Sequence, residues 1–287
     1  MPISLPPIWF VGCGNMAGAL IAGWRSADVD FSNAIAIRPS GKQVDGVATV
    51  TELPDGPPPL RCVLGFKPQK LSEIAPQLAP RLSEETILVS MLAGVEAETL
   101  RKLFPNVQAV VRIMPNLAVE ERQGVTALYT ADDLPEHRQR LQFLFGLLGS
   151  AIWCKTESEL AAIGSVAGAG PAYVARFIAA LAKAGEARGL TSEVAGQIAL
   201  QTVLGTALMA ERRNETMDEL ARRVASPKGT TEAGLAVLDA NDALDRLVAE
   251  TIAAAARRGA ELAADARRQA ELAARLPPTR GSLTRRR

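Results

Sequence analysis

Histidine is almost missing from this chain: His137 is the only one in 287 residues. It lies in the polar stretch Pro135-Glu136-His137-Arg138, which excludes an imidazole acid–base pair or a histidine-built metal cluster, so no metal site is expected. Cysteine is scarce as well. Cys13, Cys62 and Cys154 are odd in number and far apart, which excludes a disulfide framework and a close-spaced redox or metal pair; reduced thiols in a cytoplasmic protein are expected. Aromatic residues make up 4%, too few for a base-stacking surface. A net charge of +1 provides no field for nucleic acid or an anionic membrane surface. There is no basic leader and no long unbroken apolar run, so neither a signal peptide nor a membrane span is expected. What is present, 48% hydrophobic and 22% charged residues, is the composition of a globular chain of one large or two ordinary domains.

The apolar run Ile8-Trp9-Phe10-Val11 leads into Gly12-Cys13-Gly14-Asn15-Met16-Ala17 and then a helical stretch through Leu20, Ile21 and Trp24. Strand, glycine-rich turn and helix in that order match the dinucleotide-binding fingerprint, with Ala17 at the third small position. Gly12 permits the tight turn, Gly14 lets a pyrophosphate approach the backbone, and Ala17 allows close helix–strand packing. A second strand, Ala34-Ile35-Ala36-Ile37, ends in Arg38-Pro39-Ser40-Gly41-Lys42. An NAD site usually carries Asp or Glu there, on the ribose hydroxyl. Arg38 and Ser40 suit a 2′-phosphate instead, so NADPH is expected, with NADH possible as the alternative donor.

Further strands are expected at 60–66, 86–91, 107–113, 125–129 and 151–154, separated by helices near 70–82, 96–104 and 134–148. The alternation predicts a parallel, doubly wound sheet, whose ligands sit at the carboxyl ends of the strands. Phe66-Lys67-Pro68, Ala93-Gly94 and Asn116 fall at such ends and are expected to floor the cofactor cleft together with Gly12, Cys13, Gly14, Asn15 and Met16.

From Glu157 onward strand signals vanish. The small-residue run Gly164-Ser165-Val166-Ala167-Gly168-Ala169-Gly170-Pro171 either lets backbone approach a neighbour closely or forms an interdomain link. Helices follow, many with thin, alanine-rich faces that invite completion by a second subunit, the alternative being a self-sufficient bundle. Ser226-Pro227-Lys228-Gly229-Thr230-Thr231 is a turn entering a helix, with Thr230 as its expected N-cap. A helix start presents unpaired N–H groups that hold a small anion. The expected plan is an N-terminal Rossmann-type α/β domain over 1–156, an all-α domain over 157–275, and a disordered tail over 276–287.

These stretches together resemble one family, pyrroline-5-carboxylate reductase. The resemblance rests on Val11-Gly12-Cys13-Gly14-Asn15-Met16, Phe66-Lys67-Pro68, Ser90 to Val95, Arg112-Ile113-Met114-Pro115-Asn116, Gly168 to Val174 and Ser226 to Thr231, in family order over about residues 8 to 265. It implies a Rossmann domain joined to an interleaved helical dimerisation domain, homodimers or rings of dimers, and reduction of 1-pyrroline-5-carboxylate, a cyclic imino acid, to proline with NAD(P)H. It implies that Ser226, Gly229, Thr230 and Thr231 hold the substrate, with Thr231 near the imine nitrogen as the catalytic group. Three departures stand out: Lys228 where the family usually has a second glycine, Ala169 where serine is common, and Leu117-Ala118 after the asparagine. Rival readings are a reductase of a related cyclic imine, a β-hydroxyacid dehydrogenase and a non-catalytic NADPH-binding protein. The dehydrogenase reading wants a lysine one turn into the helix after the second glycine motif, where Val174 stands.

Overall fold

The computed structural model of the chain describes residues 2–275. The expected disordered tail, 276–287, lies outside the described residues. Ten strands and ten α-helices occur among them. The strands are β1 (Ile3–Ser4), β2 (Ile8–Val11), β3 (Val29–Asp30), β4 (Ala34–Ile37), β5 (Ala48–Val50), β6 (Arg61–Leu64), β7 (Ile87–Ser90), β8 (Ala109–Pro115), β9 (Gly124–Tyr129) and β10 (Gly149–Trp153). The helices are α1 (Asn15–Arg25), α2 (Leu71–Leu78), α3 (Ala97–Leu103), α4 (Pro135–Gly146), α5 (Glu157–Ile163), α6 (Gly170–Glu186), α7 (Ser192–Arg213), α8 (Met217–Val224), α9 (Thr230–Asp239) and α10 (Ala243–Arg275).

Eight strands form one sheet in the order β10-β9-β8-β7-β6-β2-β4-β5, while β1 and β3 pair by themselves. Every residue of β2, β6 and β7 is buried, as a parallel strand covered on both faces requires. One face packs Phe10, Val63 and Val111 against Leu20, Trp24 and Leu144 of α1 and α4. The other packs Trp9, Leu64 and Leu88 against Leu78, Leu100 and Phe104. The Trp24 indole N–H donates to the Leu144 carbonyl at 2.7 Å, so α1 and α4 are tied where they meet.

The sheet differs from the fully parallel one expected: β9 runs antiparallel to β8, and β10 follows β9. Only residues 116–123 join β8 to β9, and a parallel crossover needs about a dozen or more. The chain therefore turns back through a 3-10 segment, Leu117–Glu121, which packs against α1. A Cβ at Gly23 would lie 2.1 Å from the Val119 carbonyl oxygen, which is why the α1 face is glycine there.

Two compact units divide the described residues: those up to Gly168 together with those from Ala256 to 275, and Ala169–Ala255. The expected boundary at 156/157 thus precedes the observed division by one helix. α5 stays with the sheet because its residue Glu157 accepts hydrogen bonds from Arg112 Nη1 at 2.8 Å and from the Ala97 N–H at 2.9 Å. The small-residue run is not a loose link: Gly164–Gly168 is a π-helical turn. The Ala167 carbonyl there accepts from Asn116 Nδ2 at 3.1 Å.

The second unit is helical. Its fully buried hydrophobics are few, Ala195, Ala199, Ala210 and Leu220, while Phe177, Ile198, Leu204 and Leu247 are among those left exposed. Helix α7 is apolar on more than one face, the pattern of a helix enclosed by others. The continuous helical run Glu157–Glu186 is long and apolar enough by composition to cross a membrane, which the sequence reading did not anticipate. It carries Glu157, Glu159, Arg176, Lys183 and Glu186, and its most apolar stretch is not buried within the chain.

Candidate active site

In the first unit, strand order reverses at β2, which has β4 on one side and β6 on the other. The carboxyl ends of β2 and β6 therefore form the switch-point crevice of a doubly wound sheet. Gly12 sits there with φ +78°, and a Cβ on it would lie 2.7 Å from the Phe66 backbone nitrogen. Its N–H donates to the Ile37 carbonyl at 2.9 Å, and the Gly65 N–H donates to Val11 O at 2.9 Å. The buried Ala17 meets Gly65, whose Cβ would come within 3.3 Å of it. Gly14 is the opposite case: nothing lies within 4 Å of where its Cβ would be. It is the N-cap of α1, with no side chain capping the helix and no acidic residue in the first turn. The first helical bond runs from the Gly18 N–H to the Gly14 carbonyl, so the N–H groups of Asn15, Met16 and Ala17 precede it. This is an open, electropositive helix start reached by a bare backbone, the cradle that a pyrophosphate needs.

A cavity of about 580 Å³ opens over this turn, lined among others by Cys13, Gly14, Asn15, Arg38, Lys42 and Leu117. Three cations border it. Arg25 is paired with Asp45, whereas Arg38 and Lys42 make no ion pair among the described residues. Burial pushes the Cys13 thiol up, an effect partly offset by the nearby Arg38 charge. Ser40, expected beside Arg38, does not line the cavity; its hydroxyl accepts from the Lys42 N–H at 3.4 Å. Lys42 is the residue the sequence reading left out. Its signal was only a second cation four residues beyond Arg38 in a loop, and a loop's path is not periodic.

Of the other strand-end residues, Phe66 is half-buried under Gly12, and Lys67 is exposed ahead of a 3-10 turn opened by Pro68. Ala93 is exposed. Gly94 has φ +76° and lies against the backbone of Leu262 and Ala263 in α10, so close contact with that helix requires its glycine. Asn116 is buried, and both ends of its amide are engaged: Oδ1 accepts from the Val125 N–H at 3.1 Å while Nδ2 donates to Ala167 O. Through these two bonds it pins β8, β9 and the π turn together.

In the second unit, residues 226–229 form a turn closed by the Gly229 N–H donating to Ser226 O at 2.9 Å. Gly229, not Thr230, is the N-cap of α9, and no side chain caps this end. A Cβ on Gly229 would lie 2.3 Å from Ser226 Oγ and 2.9 Å from the Ser226 carbonyl oxygen, so a larger residue there would crowd the turn. Thr230 becomes the first helical residue and is exposed; Thr231 is half-buried. Both threonine N–H groups precede the first helical bond, from Ala233 to Gly229. Among the described residues no group of three His, Cys, Asp or Glu side chains is placed to hold a metal.

Sheet, switch point and helical second unit define a two-unit protein of the dinucleotide-binding Rossmann type. The family profile for pyrroline-5-carboxylate reductase dimerisation matches residues 157–262. A pyrroline-5-carboxylate reductase of Pseudomonas aeruginosa is 36% identical over 271 residues, covering 91% of this chain and 98% of that one. A solved pyrroline-5-carboxylate reductase from Coxiella burnetii superposes with a TM-score of 0.82 at 30% identity, covering 90% of this chain and 98% of that one. The Plasmodium falciparum pyrroline carboxylate reductase, solved with NADP bound, shares the fold with a TM-score of 0.79 at 22% identity, over 91% and 99% of the two chains. This chain belongs to the pyrroline-5-carboxylate reductase family.

Proposed function

We propose that this protein reduces 1-pyrroline-5-carboxylate to L-proline with NADPH in preference to NADH, the last step of proline biosynthesis. The observation that carries the reading, given the family, is the empty space beside Gly14 opening onto a cavity with two cations that make no ion pair among the described residues. The N–H groups at the start of α1 bind the pyrophosphate, and Arg38 with Lys42 binds the 2′-phosphate. Charge-assisted hydrogen bonds of this kind contribute about 1.5–3 kcal/mol each. NADPH, when bound, supplies a hydride. The chain's own part is placement. The Thr230 and Thr231 N–H groups take the substrate carboxylate, and the Thr231 hydroxyl hydrogen-bonds the ring nitrogen, keeping the protonated imine oriented. A protonated imine is already a strong electrophile, so a chain with one unsuitable histidine suffices. The second unit's exposed apolar faces are covered by another subunit, in a cytoplasmic homodimer or a ring of dimers, with no role for nucleic acid or a membrane.

Purified protein mixed with NADPH and 1-pyrroline-5-carboxylate should consume NADPH and release proline in equal amounts. Absence of NADPH oxidation in that assay would refute the reading. Two substitutions test the assignments. Arg38→Asp should lower the NADPH/NADH selectivity ratio by about tenfold or more, one charge-assisted bond's worth; an unaltered ratio removes Arg38 from the site. Thr231→Ala should reduce kcat by about tenfold with little change in KM for NADPH; a wild-type kcat leaves Thr231 as a helix residue only.

A further inference from the structure

The turn before α9 contains a residue at odds with its own backbone. Lys228 has φ +58°, the left-handed region that favours glycine. Asparagine or aspartate visits that region with help from its short polar side chain, but lysine has no such means. Help comes from four residues on. Glu232 Oε2 accepts the Lys228 backbone N–H at 2.6 Å, a charge-assisted bond, while the Gly229 N–H goes to Ser226 O. Glu232 is the third residue of α9, so its side chain reaches back over the first helical turn. A glutamate there commonly takes the N-cap N–H, but the Gly229 N–H is already committed to Ser226. The carboxylate moves one residue further out and holds the strained position instead.

We infer that Glu232 is a positioning residue: it clasps Lys228 in the left-handed conformation and so fixes the turn that presents Thr230 and Thr231. The inference rests on the reading above that those threonines receive the substrate carboxylate. It also explains how a lysine stands where the family usually has glycine. The clasp replaces the conformational freedom that glycine would have given.

The test uses the full-length protein in four forms: wild type, E232A, K228G and the double variant. With Lys228 present, E232A should raise KM for 1-pyrroline-5-carboxylate about fivefold, leaving kcat and KM for NADPH within about twofold, and should lower Tm by about 1–2 °C. Added to K228G, the same substitution should have a clearly smaller effect on both KM and Tm, because glycine adopts the conformation unaided and only the backbone hydrogen bond is lost. E232Q, which still accepts a hydrogen bond, should fall between E232A and wild type. An equal effect of E232A in both backgrounds would overturn the inference, since Glu232 would then act without Lys228. A fall in KM for E232A would overturn it too, because charge repulsion of the substrate would be its main effect. If wild type fails to turn over the imino acid, the proposed reaction falls; the Tm cycle then still decides whether the clasp exists, and no coupling there would refute it.

Discussion

Gly12→Ala is expected to cost both stability and dinucleotide affinity, whereas Gly14→Ala should cost affinity alone. At Gly12 a methyl would lie 2.7 Å from Phe66 N, 2.8 Å from Phe66 Cβ and 2.9 Å from Phe66 Cα. Two of these atoms are backbone, on the strand end next to β2, and cannot step aside as a flexible side chain would. The φ of +78° adds a penalty of about 1–2 kcal/mol for any L side chain. Overpacking of this kind typically costs about 1–3 kcal/mol more. The turn would have to shift, and the N–H groups at the start of α1 would lose their aim. At Gly14 the backbone is ordinary, φ −86°, and the surrounding space is open. A methyl there leaves the fold untouched but stands where the pyrophosphate must approach. Thermal melts should show a loss for Gly12→Ala only, and NADPH titration by fluorescence should show weakening of both, by about tenfold or more. Wild-type NADPH affinity in Gly14→Ala would mean that the open space is not the cofactor's path.

Ile198→Asp should dissociate the protein into subunits with a poorly folded helical unit. Ile198 is 48% exposed in the single chain, in a helix whose neighbours Val194, Leu200 and Leu204 are exposed as well. Few residues of Ala169–Ala255 are fully buried, so this unit has little core of its own. A fully buried isoleucine contributes about 1.5–3 kcal/mol, and a two-fold interface loses that twice. An unpaired carboxylate placed there costs several kcal/mol more. Sedimentation or light scattering should report a monomer in place of the wild-type oligomer, with reduced helical circular dichroism. An unchanged oligomer would show that α7 faces solvent or its own chain.

Several elements were legible because their signals are local. The run Ile8–Val11 and the glycines after it announced strand, tight turn and helix, and Arg38 announced a cation at the end of the next strand. Four-residue strands such as Ile8–Val11 and Ile87–Ser90 read clearly because a strand buried on both faces must be continuously apolar or small. Other features were beyond reach. The short edge strand Ala48–Val50, with its exposed first residue, carries no such pattern. Asn116 is expected as a ligand contact by position, and the structure adds hydrogen bonds of its amide to Val125 and Ala167, partners 9 and 51 residues away that no local pattern announces. Thr230 is the residue type that caps helices, and Gly229 took the role because the Ser226 turn carries the chain in at that point.

The sequence by itself determined the alternation of strands and helices, the glycine turn at the mouth of the sheet and the wholly helical second part. Each of these follows from residue type and from a repeat of two or 3.6 positions, which neighbours along the chain set. Only the tertiary structure decided the reversal of β9, the entry of Lys42 into the cavity and the left-handed Lys228 under Glu232. Those depend on how far a connection can reach and on which donors remain unpaired once the elements pack, and no local repeat encodes either.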